Sequence, residues 1–187
     1  YLRYTKLPDD KPFLFKETSQ TVNLQNFIDN DLNLKMVQIV RDPRDNFAAI
    51  KDGISSYYRT MGEGDLESIA SVLNRAKLDL ELAKAAIVAK NPYFYAVRFE
   101  DLVSEPEKTM RAIASFLKIK WHTTLLTPTV LSQSYLGNNH SGLQFHGVSK
   151  HNVGRWIDRI TEAEACLIEG WMSDIMAFWK YPIKYKT

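Results

Sequence analysis

The stretch VQIVRDPRDNFAAI, residues 37 to 50, decides how this sequence is to be read. An apolar run ends in Arg41, an Asp-Pro-Arg-Asp turn follows, and Phe47 and Ile50 then recur at helical spacing. Asp42 suits the cap of a helix and Pro43 its first turn, because a side-chain oxygen can accept an orphan N–H there and proline has none to lose. The same turn fixes a cation where a strand ends, the place where open α/β sheets bind anionic ligands. The structural and the ligand-binding readings both stay open at this point.

Outward from that turn, short apolar runs alternate with helical patterns, which predicts α/β layering. KMVQIV, residues 35 to 40, is apolar around Gln38 and predicts a parallel, central strand buried on both faces. Phe47, Ile50, Ile54, Tyr57 and Met61 predict an amphipathic helix over residues 43 to 61, and Leu66, Ile69, Leu73, Leu80 and Ile87 a long one from about 65 to 90. FLF at 13 to 15 reads as a strand end, TVNLQNFID at 21 to 29 as a short helix, and YFYAVRF at 93 to 99 as the next strand. Ser104 with Glu107 forms a capping-box pattern with Pro106 in the first turn, ahead of inward-facing Met110, Ile113, Ala114 and Leu117. Thr161 with Glu164 forms another, opening a last helix whose expected buried stripe is Ile168, Trp171, Met172 and Ile175. Between them, residues 121 to 156 show no sustained period, and so long an irregular segment in a compact domain points to function.

Composition narrows the function classes. With 187 residues, 45% hydrophobic and 12% aromatic, the chain can bury a core as one domain, residues 1 to 187. Its 24 basic and 22 acidic side chains give a net charge of +2, so no global field grips nucleic acid and any anion site must be local. Nucleic acid is therefore not an expected partner. The single cysteine, Cys166, excludes an internal disulfide and fits a reducing compartment, so a cytoplasmic setting is expected. No apolar run approaches the roughly 18 residues of a membrane span. The N-terminus lacks the basic start and apolar stretch of a signal peptide and does not begin with Met, so the expectation is a sequence that starts inside a longer or processed chain.

Three blocks in order, VQIVRDPRDNFAAI, YAVRFEDLVSEPEKTMRAIASFLKI and GVSKHNVGRWIDRITEAEACLIEGW, resemble the successive C-terminal signatures of sulfotransferases. PTVLSQSYLGNNHSG before the third is similar to the bacterial-type members. The resemblance implies a P-loop NTPase-like three-layer α/β fold with a parallel sheet flanked by helices. It also implies transfer of a sulfuryl group from 3′-phosphoadenosine 5′-phosphosulfate, PAPS, to a hydroxyl or amine, with no metal.

Residue by residue, Arg41 matches the arginine that binds the 3′-phosphate, and a guanidinium suits bidentate phosphate recognition. The alternative is a surface salt bridge with Asp42 or Asp45. Eight residues on, where relatives carry a phosphate-binding serine, stands Ala49. In SKHNVGRW, Lys150 keeps the basic residue expected at the 3′-phosphate, Ser149 and His151 replace an arginine and a glycine, and Gly154 and Trp156 are retained. Phe99 stands where relatives often place a tyrosine near the adenine, and reads equally as a core aromatic. Lys16 matches a lysine near the transferring group, and Glu17 is the nearest candidate base. Both could also be polar residues after an edge strand.

Relatives cradle the 5′-phosphosulfate in a glycine and Ser/Thr loop after their first strand. Glycines here lie only at 53, 62, 64, 137, 142, 147, 154 and 170, and no such loop can be drawn from them. The expectation is therefore a fragment, N-terminally incomplete, that lacks the first strand and its phosphosulfate loop. A second hypothesis keeps the fold without transfer: a remnant acting as a nucleotide-binding or interaction module. A P-loop kinase stands third and needs the same loop. Four histidines, at 122, 140, 146 and 151, lack metal-ligand spacing, and NHS at 139 to 141 is a glycosylation sequon only in a secretory lumen. Residues 62 to 64 and 121 to 147 are the expected acceptor loops, and carbohydrate, peptide tyrosine, lipid and small phenol all stay open as acceptors. Oligomeric state is not legible in the sequence.

Overall fold

A parallel strand pair organises the computed structural model, which describes residues 14, 16, 21–30, 34–53, 65–130, 133–135, 144–145 and 147–185. A 3₁₀ turn (Thr21–Asn23) leads into α1 (Leu24–Asp29), and then come β1 (Met36–Val40), α2 (Pro43–Gly53), α3 (Asp65–Val88) and β2 (Phe94–Arg98). β1 and β2 run parallel, from Met36 opposite Phe94 to Val40 opposite Arg98. A parallel pair needs a crossover, and the segment containing α2 and α3 provides it. α4 (Phe99–Ser104), α5 (Pro106–Leu117) and α6 (Glu162–Phe178) follow, with a small antiparallel pair, β3 (Thr129–Val130) and β4 (Gln133–Ser134), between the last two. The fold is mixed α/β with a small parallel sheet, and helices lie on both faces of it.

Strand alternation assigns those faces. Gln38 accepts from the Thr21 hydroxyl at 2.6 Å and donates to the Asp79 carbonyl of α3 at 3.2 Å, so the Met36, Gln38 and Val40 side looks toward α3. On the opposite side Tyr95 stacks on Phe116 of α5 with ring centroids 5.3 Å apart. β1 departs from the expectation of a strand central and buried on both faces. Among the described residues it pairs only with β2, and Ile39 is 56% exposed, because α5 covers the sheet over β2 and leaves Ile39 open. The main core lies on the α3 side, where Phe47, Leu73, Leu80, Ala83 and Phe94 meet Ile168, Met172, Ile175 and Met176.

Several local expectations are corrected. The described part of the helix opened by Pro43 ends at Gly53, and Ile54, Tyr57 and Met61 lie outside the described residues, as do Phe13 and Phe15 of the expected first strand end. The strand expected to run to Phe99 stops at Arg98, and Phe99 opens α4. Ser104 does not cap α5; it closes α4, and Glu105 takes the cap position with φ −131° and ψ 62°, away from helical geometry as the residue before a proline must be. Glu107 instead pairs with Arg111 at 2.7 Å. The Thr161 capping box does form, with Glu164 N donating to the Thr161 hydroxyl at 3.2 Å and Thr161 N to the Glu164 carboxylate at 2.7 Å. On α6 the buried face runs through Ala165, Ile168, Glu169, Met172, Ile175 and Met176. Trp171 falls one position off this stripe and is 40% exposed, while the charged Glu169 takes a place inside. No helix among the described residues is long and apolar enough to cross a membrane.

Candidate functional site

The site begins in the Asp-Pro-Arg-Asp turn, whose four charged residues, Arg41 included, point to different partners. Asp42 is buried at the cap of α2: its carbonyl accepts from Asn46 N at 3.0 Å and its Oδ1 from Arg44 N at 2.9 Å. Pro43 occupies the first turn, as the sequence predicts. Arg44 turns inward, 1% exposed, and divides its guanidinium between Asp42 Oδ2 at 2.6 Å and Glu169 Oε1 at 2.5 Å, over the Trp156 ring at 4.1 Å. Burial opposes its charge, but the two carboxylates outweigh that and raise its pKa above the ordinary arginine value. Arg44 is a structural cation with its charge fully matched.

Arg41 is held differently. It sits half-buried just past the end of β1, its Nη2 donates to the Asn152 carbonyl at 2.5 Å, and its guanidinium lies 4.9 Å from the centroid of the Phe99 ring. Its Nε is buried without a hydrogen-bond partner. The salt bridge with Asp42 or Asp45 does not form, since Asp42 is taken by Arg44 and Asp45 by backbone amides. Desolvation lowers the Arg41 pKa, against the opposing charges of Asp45, Glu100 and Asp42. What results is a desolvated cation with no contact counterion and a buried Nε donor left without a partner.

Asp45 is buried and accepts from Gly154 N at 2.7 Å and Trp156 N at 2.9 Å. Burial pushes its pKa up, and the two N–H bonds and Arg41 only partly oppose this. These bonds bring the Ser149 to Trp156 segment onto the start of α2. Gly154 has φ +74°, a left-handed conformation that a side chain would strain. Ahead of it, Val153 N donates to the Lys150 carbonyl at 2.9 Å and His151 N to the Ser149 hydroxyl at 3.2 Å, forming a tight turn. Glu100 closes the other side, accepting from Asp42 N at 3.0 Å and from the Tyr181 hydroxyl at 3.2 Å. Burial, and then the Glu100 charge, drive the Tyr181 phenol far above its ordinary pKa.

Four of the residues singled out in the sequence, Arg41, Phe99, Lys150 and Gly154, thus belong to one region, Lys150 exposed on its turn. Lys16 is exposed in no regular element, and Glu17 lies outside the described residues. Ala49 is half-buried on α2. His122 accepts from Thr124 N at 3.2 Å, His140 and His146 lie outside the described residues, and no three metal-ligating groups cluster among those described. The sequon and residues 62 to 64 also lie outside them.

Sequence reasoning missed Arg44 and Glu169 altogether, and named Asp45 and Trp156 without the framework role they share. A signal existed for the two that were missed. Glu169 interrupts an apolar stripe at helical spacing, and a charge on a buried face demands a partner. Arg44 lies within the Asp-Pro-Arg-Asp turn and is the cation that answers it.

Comparison with known proteins gives this region a family. The sulfotransferase family model matches residues 4–123, well over half of the chain. Among solved structures, the sulfotransferase domain from the curacin biosynthetic pathway is similar with a TM-score of 0.62 at 14% identity, over 89% of this chain and 60% of that one. At that identity the likeness speaks for the fold alone, and this chain spans about 60% of that domain's length. No curated protein matches the sequence. With Arg41, Asp45 and Phe99 inside the matched span, the chain belongs to the sulfotransferase family.

Proposed function

We propose that the chain takes part in transfer of a sulfuryl group from PAPS to a hydroxyl or amine acceptor, with Arg41 holding the 3′-phosphate. The observation that carries this is the buried, unpartnered Nε of a guanidinium that has no contact counterion. A buried donor left unmade costs about 1–3 kcal/mol, and a phosphate oxygen supplies both the missing acceptor and the missing charge. The Phe99 ring beneath Arg41 offers an apolar surface for the adenine, Lys150 a second cation on the neighbouring turn, and Gly154 the backbone freedom that this turn needs.

In the proposed chemistry Lys16 stabilises charge developing on the transferring group, and Glu17 takes the acceptor's proton. The acceptor oxygen or nitrogen bonds to sulfur as the sulfur–oxygen bond to the nucleotide breaks, which leaves adenosine 3′,5′-bisphosphate. No metal enters this scheme. The P-loop-like three-layer arrangement is part of the same proposal, supported by helices on both faces of the β1–β2 pair and by the structural likeness. So is a cytoplasmic setting, supported by a single cysteine.

Ala49 and Ser149, which replace groups that bind phosphate in relatives, favour a second reading, a nucleotide-binding module without transfer. Incubation with PAPS and a panel of carbohydrate, peptide tyrosine, lipid and phenol acceptors separates the two. Release of adenosine 3′,5′-bisphosphate that depends on one acceptor supports the transferase. Nucleotide binding without release on any acceptor supports the module.

A further inference from the structure

Asp45 has no role in the proposed transfer, yet its carboxylate is spent on one task. It is 2% exposed, and both its oxygens accept backbone amides of a segment 109 and 111 residues away in sequence, Gly154 and Trp156. A buried carboxylate is costly unless its lone pairs are satisfied, and here backbone donors satisfy them while Arg41 adds opposite charge. The same segment is gripped by Arg41, which takes the carbonyl of Asn152. Donors and acceptors therefore cross: the cation at position 41 holds a carbonyl, and the anion one helical turn later holds two amides. Gly154, at φ +74°, lets both amides face one carboxylate. The turn that carries Lys150 is continuous with this clamp, through the Lys150 carbonyl accepting from Val153 N.

We infer that Asp45 is a positioning residue, which holds the 152–156 segment at the spacing from Arg41 that lets Arg41 and Lys150 reach one phosphate. The inference rests on the reading of Arg41 as the 3′-phosphate ligand. Asp45 itself does not contact the nucleotide. It acts through the amides of Gly154 and Trp156, and its effect is confined to the 3′-phosphate.

The test compares binding of adenosine 3′,5′-bisphosphate with that of adenosine 5′-monophosphate, for the full chain and for Asp45→Asn and Gly154→Ala. Asparagine keeps the shape and one acceptor but turns an NH₂ against the second amide. Alanine at 154 meets no atom within 4 Å but is strained at that φ, so it loosens the clamp without touching the buried carboxylate. Each variant should reduce the preference for the bisphosphate, on the order of tenfold for Asp45→Asn, as losing the partner that orients a ligating group does. Affinity for the monophosphate should hold. A purely structural role would lower the melting temperature and weaken both ligands equally, and that result, or an unchanged preference in both variants, overturns the inference. A wild-type chain that binds the two nucleotides equally overturns the Arg41 reading itself, and the positioning role with it.

Discussion

Glu169 Oε1 lies 2.5 Å from Arg44 Nη1, and that contact joins the last helix to the turn that ends β1. Glu169 also accepts the amides of Lys184 at 3.1 Å and Tyr185 at 2.7 Å, so one buried carboxylate binds the C-terminal segment, α6 and α2 together. Removing it leaves Arg44 with half its counter-charge and two amides without an acceptor. Glu169→Ala should cost about 3–5 kcal/mol, the range for breaking one side of a buried ion pair. Chemical denaturation measures it. Arg44→Met combined with Glu169→Leu should lose less than the two single changes added, because Arg44 and Glu169 then no longer strand each other, while Asp42 loses Arg44 in the single and the double variant alike; an additive loss contradicts this.

Acid sensitivity should arise in part at the start of α6. Burial acts to raise the Glu164 pKa, but Lys51 at 2.8 Å and the Thr161 N–H and hydroxyl overcome it and hold the carboxyl below its ordinary 4.5. A carboxylate with a depressed folded-state pKa contributes stability above its unfolded value, and that contribution fades as pH falls through the folded one. Glu164→Gln should therefore be less stable than wild type at neutral pH. The gap should narrow below about 4.5 as the wild-type carboxyl protonates. Melting temperatures of both proteins across that range decide it, and a gap independent of pH rules out the ionic contribution.

Ala49 tests the proposed phosphate site from the side of α2. It lies half-buried on that helix, at the position where the resemblance implies a phosphate-binding serine. Ala49→Ser should tighten adenosine 3′,5′-bisphosphate binding by about tenfold, since a charge-assisted hydrogen bond contributes about 1.5–3 kcal/mol. An unchanged dissociation constant would place the phosphate away from this turn of α2.

The sequence made the frame legible where periodicity and capping chemistry agree. The Asp42–Pro43 helix start, the parallel strand Met36–Val40, the long helix over Asp65–Val88 and the Thr161–Glu164 box all follow from local rules. Local rules also misled. Ser104 and Glu107 satisfy a capping pattern, but Pro106 sets the backbone of Glu105 and makes that residue the cap. Trp171 reads as core by its spacing from Ile168 and Ile175, and only the register of α6 against its neighbours turns it outward. The site divides in the same way. Arg41 was legible because a strand end and a turn adjoin in sequence. The partners of Asp45 lie at Gly154 and Trp156, and nothing local announces a hydrogen bond across 109 residues.

The central claim is that Arg41 is a prepared phosphate ligand, and calorimetric titration with adenosine 3′,5′-bisphosphate tests it most directly. Wild type should bind in the micromolar range with a favourable enthalpy, and Arg41→Ala should lose that binding while keeping its melting transition, because Arg44 and not Arg41 carries the buried ion pairs. Equal binding by the two proteins would contradict the account and make Arg41 a tether for the Asn152 carbonyl alone.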